Sequence, residues 1–92
     1  LLGGAFVTSN RESGDGRYDI QLKPTQKGLP GILIELKAEK NCSDEKLKKL
    51  SETALQQIND KKYETELTTA GVRTIYKYGV AFSGKKVEVT VG

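Results

Sequence analysis

Two acidic residues and a lysine stand where two neighbouring predicted strands would bring them together. Residues 17–23 alternate between polar and apolar side chains, which is typical of a half-buried strand. Residues 31–39 contain an apolar run that predicts a more deeply buried strand. Because side chains two residues apart on a strand share a face, Glu35 and Lys37 point the same way, and we expect Asp19 on the preceding strand to join them.

The pairing of the two strands follows from the segment between them. Residues 24–30 have proline at both ends and a glycine within, which predicts a hairpin connection. A turn centred near Lys27 places Asp19 opposite Glu35. Directly opposed side chains have Cβ atoms about 4.5–5.5 Å apart, and like charges at that spacing are destabilising. Two carboxylates placed in this way require a compensating positive charge.

The compensating charge could come from Lys37 or from a divalent cation. Carboxylate oxygens without imidazole or thiolate ligands favour Mg²⁺ or Mn²⁺ over zinc. The chain has no histidine and a single cysteine, which excludes Ser-His-Asp and Cys-His catalysis, histidine-ligated zinc sites and an internal disulfide. The alternative is a solvated polar face on an amphipathic hairpin, and spacing alone does not decide between the two.

The remaining segments predict an α/β fold of the mixed α+β type, in which a long helix packs on one face of a mixed sheet. The predicted order of elements is β-β-β-α-β-β. Besides the two strands described above, we expect short strands at both ends of the chain and a polar loop after the first of them. The strands are predicted at 5–8, 74–83 and 86–91, and the loop at 9–16.

One helix is expected from its N-cap Ser43 to about Leu67, with Gly71 ending it. Its apolar residues fall within one stripe: Leu47, Leu50, Ala54 and Ile58. Gln57 lies at the edge of that stripe, where it either reaches over the sheet to a ligand or is a rim residue without function. Tyr63 falls on the far side of an ideal helix, so either the helix bends before it or its side chain packs elsewhere.

Several segments of the chain resemble, in the same order, the motifs of the PD-(D/E)XK nuclease superfamily. More narrowly, they resemble a bacterial family of that superfamily that is found C-terminal to an AAA-ATPase-like domain. The matching segments are SNRESGDGRYDI at 9–20, IELK at 34–37, ALQQI at 54–58, KY at 62–63 and YGVAFSGKK at 78–86.

The resemblance implies a restriction-endonuclease-like sheet and a metal-dependent nuclease site. Asp19 and Glu35 would bind Mg²⁺ or Mn²⁺, together with the backbone carbonyl of Leu36. Lys37 would orient or activate the attacking water. Gln57 would correspond to the helix glutamine of the family.

The resemblance covers nearly the whole chain, so residues 1–92 are expected to form a single nuclease-like domain. That domain would lack the helix that usually precedes the first strand in the superfamily. Its expected partners are nucleic acid, with DNA as the substrate, and an AAA-ATPase-like domain. Cations that could contact backbone phosphates, or could simply be solvated, are Arg17, Lys23, Lys27, Lys61 and Lys62.

Two other functions remain open on the sequence alone. The chain could be a catalytically inactive module of the nuclease fold that binds nucleic acid or a partner ATPase domain, or a purely structural domain. Its net charge of +3 is too small to identify a nucleic-acid binder. No apolar run approaches the roughly 20 residues that span a bilayer, so we expect a cytoplasmic protein with no membrane partner.

Overall fold

The structure is a computed structural model that describes residues 6–12, 17–60 and 63–92. These residues form a five-stranded sheet, with strands in chain order across it, and two helices. The elements are β1 (Phe6–Glu12), β2 (Arg17–Pro24), β3 (Gly31–Ala38), α1 (Asp44–Asp60), α2 (Tyr63–Thr69), β4 (Ile75–Ser83) and β5 (Lys86–Val91). β3 and β4 are parallel, and the other neighbours are antiparallel. The predicted mixed fold is confirmed.

The helices form the crossover between the parallel strands β3 and β4, as such a connection requires. α1 packs across β3, β4 and β5. The predicted apolar stripe of α1 is confirmed, because Leu47, Ala54 and Ile58 are buried and Leu50 packs against the core. Two apolar clusters lie between the helices and the sheet: Leu33 with Ile58 and Leu67, and Cys42 with Leu47 and Ala81.

The first turn of α1 is capped as the sequence predicts. The Ser43 hydroxyl accepts a hydrogen bond from the backbone N–H of Lys46 at 3.1 Å. Gly71, with φ +94°, ends α2. Its N–H donates to the carbonyl of Thr68, and the N–H of Val72 donates to the carbonyl of Leu67, both at 3.0 Å. This pair of hydrogen bonds is the Schellman motif that a glycine in the left-handed region permits.

The helix prediction is confirmed over Asp44–Asp60 and Tyr63–Thr69, and residues 61–62, on which its continuity depends, lie outside the described residues. Leu67 of α2 is fully buried in the core. Both helices contact one cation of β4. Lys77 Nζ donates to Asn59 Oδ1 at 3.1 Å and to Glu64 Oε2 at 2.8 Å.

The prediction for the first strand is wrong at its C-terminal end. β1 continues to Glu12, through residues expected to form a polar loop, and pairs with β2 as far as Glu12 opposite Tyr18. The backbone hydrogen bonds that attach an edge strand such as β1 do not require apolar side chains, so the polarity of residues 9–12 was a poor guide. The rest of the predicted loop, residues 13–16, lies outside the described residues.

β5 has the predicted bounds, and Gly84, with φ +59°, lies in the turn that joins it to β4. Within the described part of the chain, neither helix is long and apolar enough to cross a bilayer.

Candidate active site

The hairpin of β2 and β3 has the register that the sequence predicts. Asp19 lies directly opposite Glu35, and Arg17 lies opposite Lys37. Glu35 is two residues from Leu33, whose side chain packs in the core against Ile58 of α1. The two carboxylates therefore lie on the face of the sheet that the helices cover.

Both carboxylates are buried, with 5% of Asp19 and 1% of Glu35 exposed. They do not form a solvated polar face. Burying a carboxylate is costly unless it is paired, hydrogen-bonded or bound to a metal, and two opposed carboxylates add mutual repulsion. Asp19, Glu35 and Lys37 all take part in polar interactions. The Oδ1 atom of Asp19 is nevertheless buried and accepts no hydrogen bond from the described residues.

Lys37 is half-buried and follows Glu35 by two residues on the same face of β3. That spacing along a strand corresponds to about 6.6 Å. In the parallel pair, Lys37 lies beside Ala81 of β4, whose small side chain is fully buried under α1. The backbone therefore places Lys37 beside Glu35 on the helix-covered face of β3.

The donor set near the acids fits a hard divalent cation. Among the described residues, no group of three or more Asp, Glu, His or Cys side chains lies close enough together to hold a metal. Mg²⁺ is commonly bound by one or two carboxylates and keeps several waters. Two opposed carboxylates and the backbone carbonyl of Leu36, which separates Glu35 from Lys37 in the chain, would meet that requirement.

A close approach of α1 to β4 fixes the helix beside the acids. Gly79 lies in register with Glu35. A Cβ at Gly79 would collide with the backbone carbonyl oxygen of Ser51 and would lie 2.5 Å from the backbone nitrogen of Leu55. Only glycine allows the helix backbone to come so close. The predicted site residues do not include Gly79, although a glycine in mid-strand is a known signal of such an approach.

Gln57, two residues after Leu55, is half-buried and takes part in a polar interaction. It directly precedes Ile58, whose side chain packs on Leu33, two residues before Glu35. The structure therefore places Gln57 in the part of α1 that covers β3. Its location and partial burial are consistent with a glutamine that reaches over the sheet. They argue against a rim residue that is fully exposed to solvent.

Exposed ion pairs border the connection between β3 and α1. Lys46 Nζ lies 3.0 Å from Glu39 Oε1, and this hydrogen bond, with the charge of Glu39, raises the pKa of Lys46. Lys86 Nζ lies 3.0 Å from Asp44 Oδ1 and donates to the carbonyl of Cys42 at 3.4 Å. Such exposed pairs contribute little to stability.

Two of the predicted phosphate-contacting cations have described side chains. Lys23 and Lys27 are exposed, Lys23 near the end of β2 and Lys27 in the turn before β3. Arg17 pairs with Lys37 through its backbone, but its side chain is not described. The two lysines at 61–62 lie outside the described residues.

The comparison with protein families agrees with this geometry. A family model described as the PD-(D/E)XK nuclease superfamily matches residues 1–91. The chain therefore belongs to the PD-(D/E)XK nuclease superfamily, whose nucleases generally use divalent metal ions. Searches of curated proteins and of solved structures returned no significant match.

Proposed function

We propose that this chain is a divalent-metal-dependent nuclease domain that hydrolyses phosphodiester bonds of DNA. The observation that carries the proposal is the pair of buried carboxylates, Asp19 and Glu35, directly opposed on adjacent strands with Lys37 beside them. A structural domain gains nothing from burying two like charges together. A metal-dependent hydrolase requires such a pair.

In this proposal, Asp19 and Glu35 bind Mg²⁺ or Mn²⁺ through their carboxylate oxygens, and the carbonyl of Leu36 is a further ligand. When bound, the ion neutralises charge on the scissile phosphate and lowers the pKa of a water. The buried position of both acids fixes their side chains before the ion arrives. That preorganisation reduces the entropy lost on binding.

Lys37 supplies the remaining positive charge. Its ammonium group donates hydrogen bonds to the attacking water and to the phosphate oxygens as they become more negative, a form of electrostatic stabilisation that is often among the largest in catalysis. Gln57 positions that water with its side-chain amide, which can donate and accept hydrogen bonds.

The first test is cleavage of a DNA duplex by the protein in Mg²⁺, in Mn²⁺ and in excess EDTA. We expect cleavage only with a divalent ion. Asp19→Asn should lower the rate by about 100-fold or more, because it removes a charged ligand. Glu52→Gln, at an exposed acid of α1, is the matched control and should cleave at the wild-type rate. Cleavage that persists in EDTA, or an unaffected Asp19→Asn variant, would contradict the proposal.

A second candidate function is a catalytically inactive module that binds nucleic acid or a partner domain. The observation that favours it is the absence of a third acid beside the carboxylate pair among the described residues. The sequence resemblance suggests an AAA-ATPase-like domain, N-terminal in the full-length protein, as the partner. Calorimetry with Mg²⁺ and Mn²⁺ separates the two functions, because a binding module requires no metal affinity at Asp19 and Glu35.

A further inference from the structure

An open cleft of about 630 Å³ lies at the turn end of the β2–β3 hairpin. One wall is the turn between β2 and β3, including Lys27 and Gly28, and the other is the connection from α2 to β4, including Gly71 and Arg73. We call it the turn cleft. Its volume lies within the range of small-molecule sites, and it could hold a nucleotide unit.

The turn cleft is positively charged. Its lining contains two cations, Lys27 and Arg73, and no acidic residue. Both side chains are exposed, and neither forms an ion pair with another described residue. Arg73 also borders an adjoining cleft that contains Glu64, but the Glu64 carboxylate is bound by Lys77 at 2.8 Å. The two cations are therefore available to an anion from solution.

Each wall contains a glycine in the left-handed region. Gly28 has φ +87° and Gly71 has φ +94°. A residue with a Cβ would be strained at either position, so the two glycines permit the turns that form the walls.

The turn cleft and the carboxylate pair lie on the same face of the sheet. Val72, which lines the turn cleft, lies beside Gly31, the first residue of β3, because a Cβ at Gly31 would meet the side chains of Leu67 and Val72. Gly31 therefore faces the helices, as Glu35 does. The four steps from Gly31 to Glu35 span about 13 Å along a strand. On β2, the same face runs from Asp19 to the exposed Lys23, which precedes the turn.

We propose that the turn cleft binds a backbone phosphate of the nucleic acid, with its sugar, a few nucleotides from the phosphate at the carboxylate pair. This inference rests on the proposed nuclease function. A distance of about 13 Å is about four base-pair rises of 3.4 Å along the axis of a duplex, so one short duplex can reach both sites. Lys27 and Arg73 hold the phosphate from opposite walls, and Lys23 lies along the path between the two sites.

The test is binding of a fluorescently labelled DNA duplex of 16 base pairs, measured by anisotropy in EDTA so that cleavage plays no part. The double variant Lys27→Glu/Arg73→Glu should weaken binding at least about tenfold. It should also make the decrease of log K with log salt concentration shallower by about one unit of slope, because one phosphate contact is lost. The control Lys48→Glu/Lys85→Glu has the same net charge and should keep the wild-type affinity and slope. All four side chains are exposed, and thermal melts check that every variant is folded.

A second variant, Lys27→Gln/Arg73→Gln, removes the charges without reversing them and should give a smaller loss in the same direction. Equal binding by the turn-cleft and control variants would overturn this inference and leave the proposed nuclease function standing. Failure of the wild-type protein to bind any duplex would instead contradict the nucleic-acid substrate itself, and this inference with it.

Discussion

Replacing Lys37 with methionine is expected to lower the rate of DNA cleavage by about 100- to 1,000-fold while leaving divalent-ion binding in place. Methionine keeps most of the volume of the lysine stem but removes the ammonium group. Lys37 is half-buried beside Glu35, so its charge acts where water screens it only partly. The measurement is the single-turnover rate at saturating Mg²⁺, with metal affinity determined by calorimetry on the same samples.

The matched control for this prediction is Lys48→Met, at an exposed lysine of α1. It should cleave DNA at the wild-type rate. A Lys37→Met variant that cleaves as fast as this control would show that the lysine takes no part in the reaction. A variant that loses metal binding together with cleavage would show that Lys37 supports the site structurally rather than chemically.

Replacing Gly79 with alanine should destabilise the fold by about 3 kcal/mol or more. The added methyl group would meet backbone atoms of α1, at Ser51 and Leu55, which cannot move away as a flexible side chain could. The helix must lift off β4, and this opens the packing on the strand pair that carries Glu35. Urea unfolding followed by circular dichroism measures the loss.

The control variant is Gly84→Ala, in the turn that follows β4. It measures the cost of replacing a glycine where the added methyl group meets no other atom. Gly84 has a positive φ, but an added Cβ would meet no atom within 4 Å. The expected loss of stability is then only the cost of a left-handed backbone for a residue with a Cβ, about 1–2 kcal/mol. If the two variants were equally stable, α1 would not lie as close to β4 as the structure places it.

The sequence could predict the hairpin and its register because both depend on local rules. Alternation assigns each side chain of β2 to a face, and a turn centred near Lys27 pairs Asp19 with Glu35 without any knowledge of the remaining chain. The N-cap at Ser43 and the glycine at the end of α2 are equally local signals. The whole arrangement of the proposed acids therefore follows from fewer than 25 consecutive residues.

Other features could not be predicted because they depend on contacts between distant parts of the chain. Lys77 of β4 binds one residue from each helix, Asn59 and Glu64, and no local pattern in the sequence indicates that contact. β1 extends into polar residues because backbone pairing with β2 stabilises them there. The near-complete burial of Glu35 depends on α1 packing over the sheet, and this packing in turn requires Gly79.

The central claim is that Asp19 and Glu35 together bind one divalent cation. Crystals of the protein grown with Mn²⁺ test it most directly, through the anomalous scattering of the metal. The account predicts one manganese peak between the two carboxylates, within about 2.5 Å of an oxygen of each, and no such peak in crystals of the Asp19→Asn variant. Clear density for both side chains with no manganese between them would contradict it.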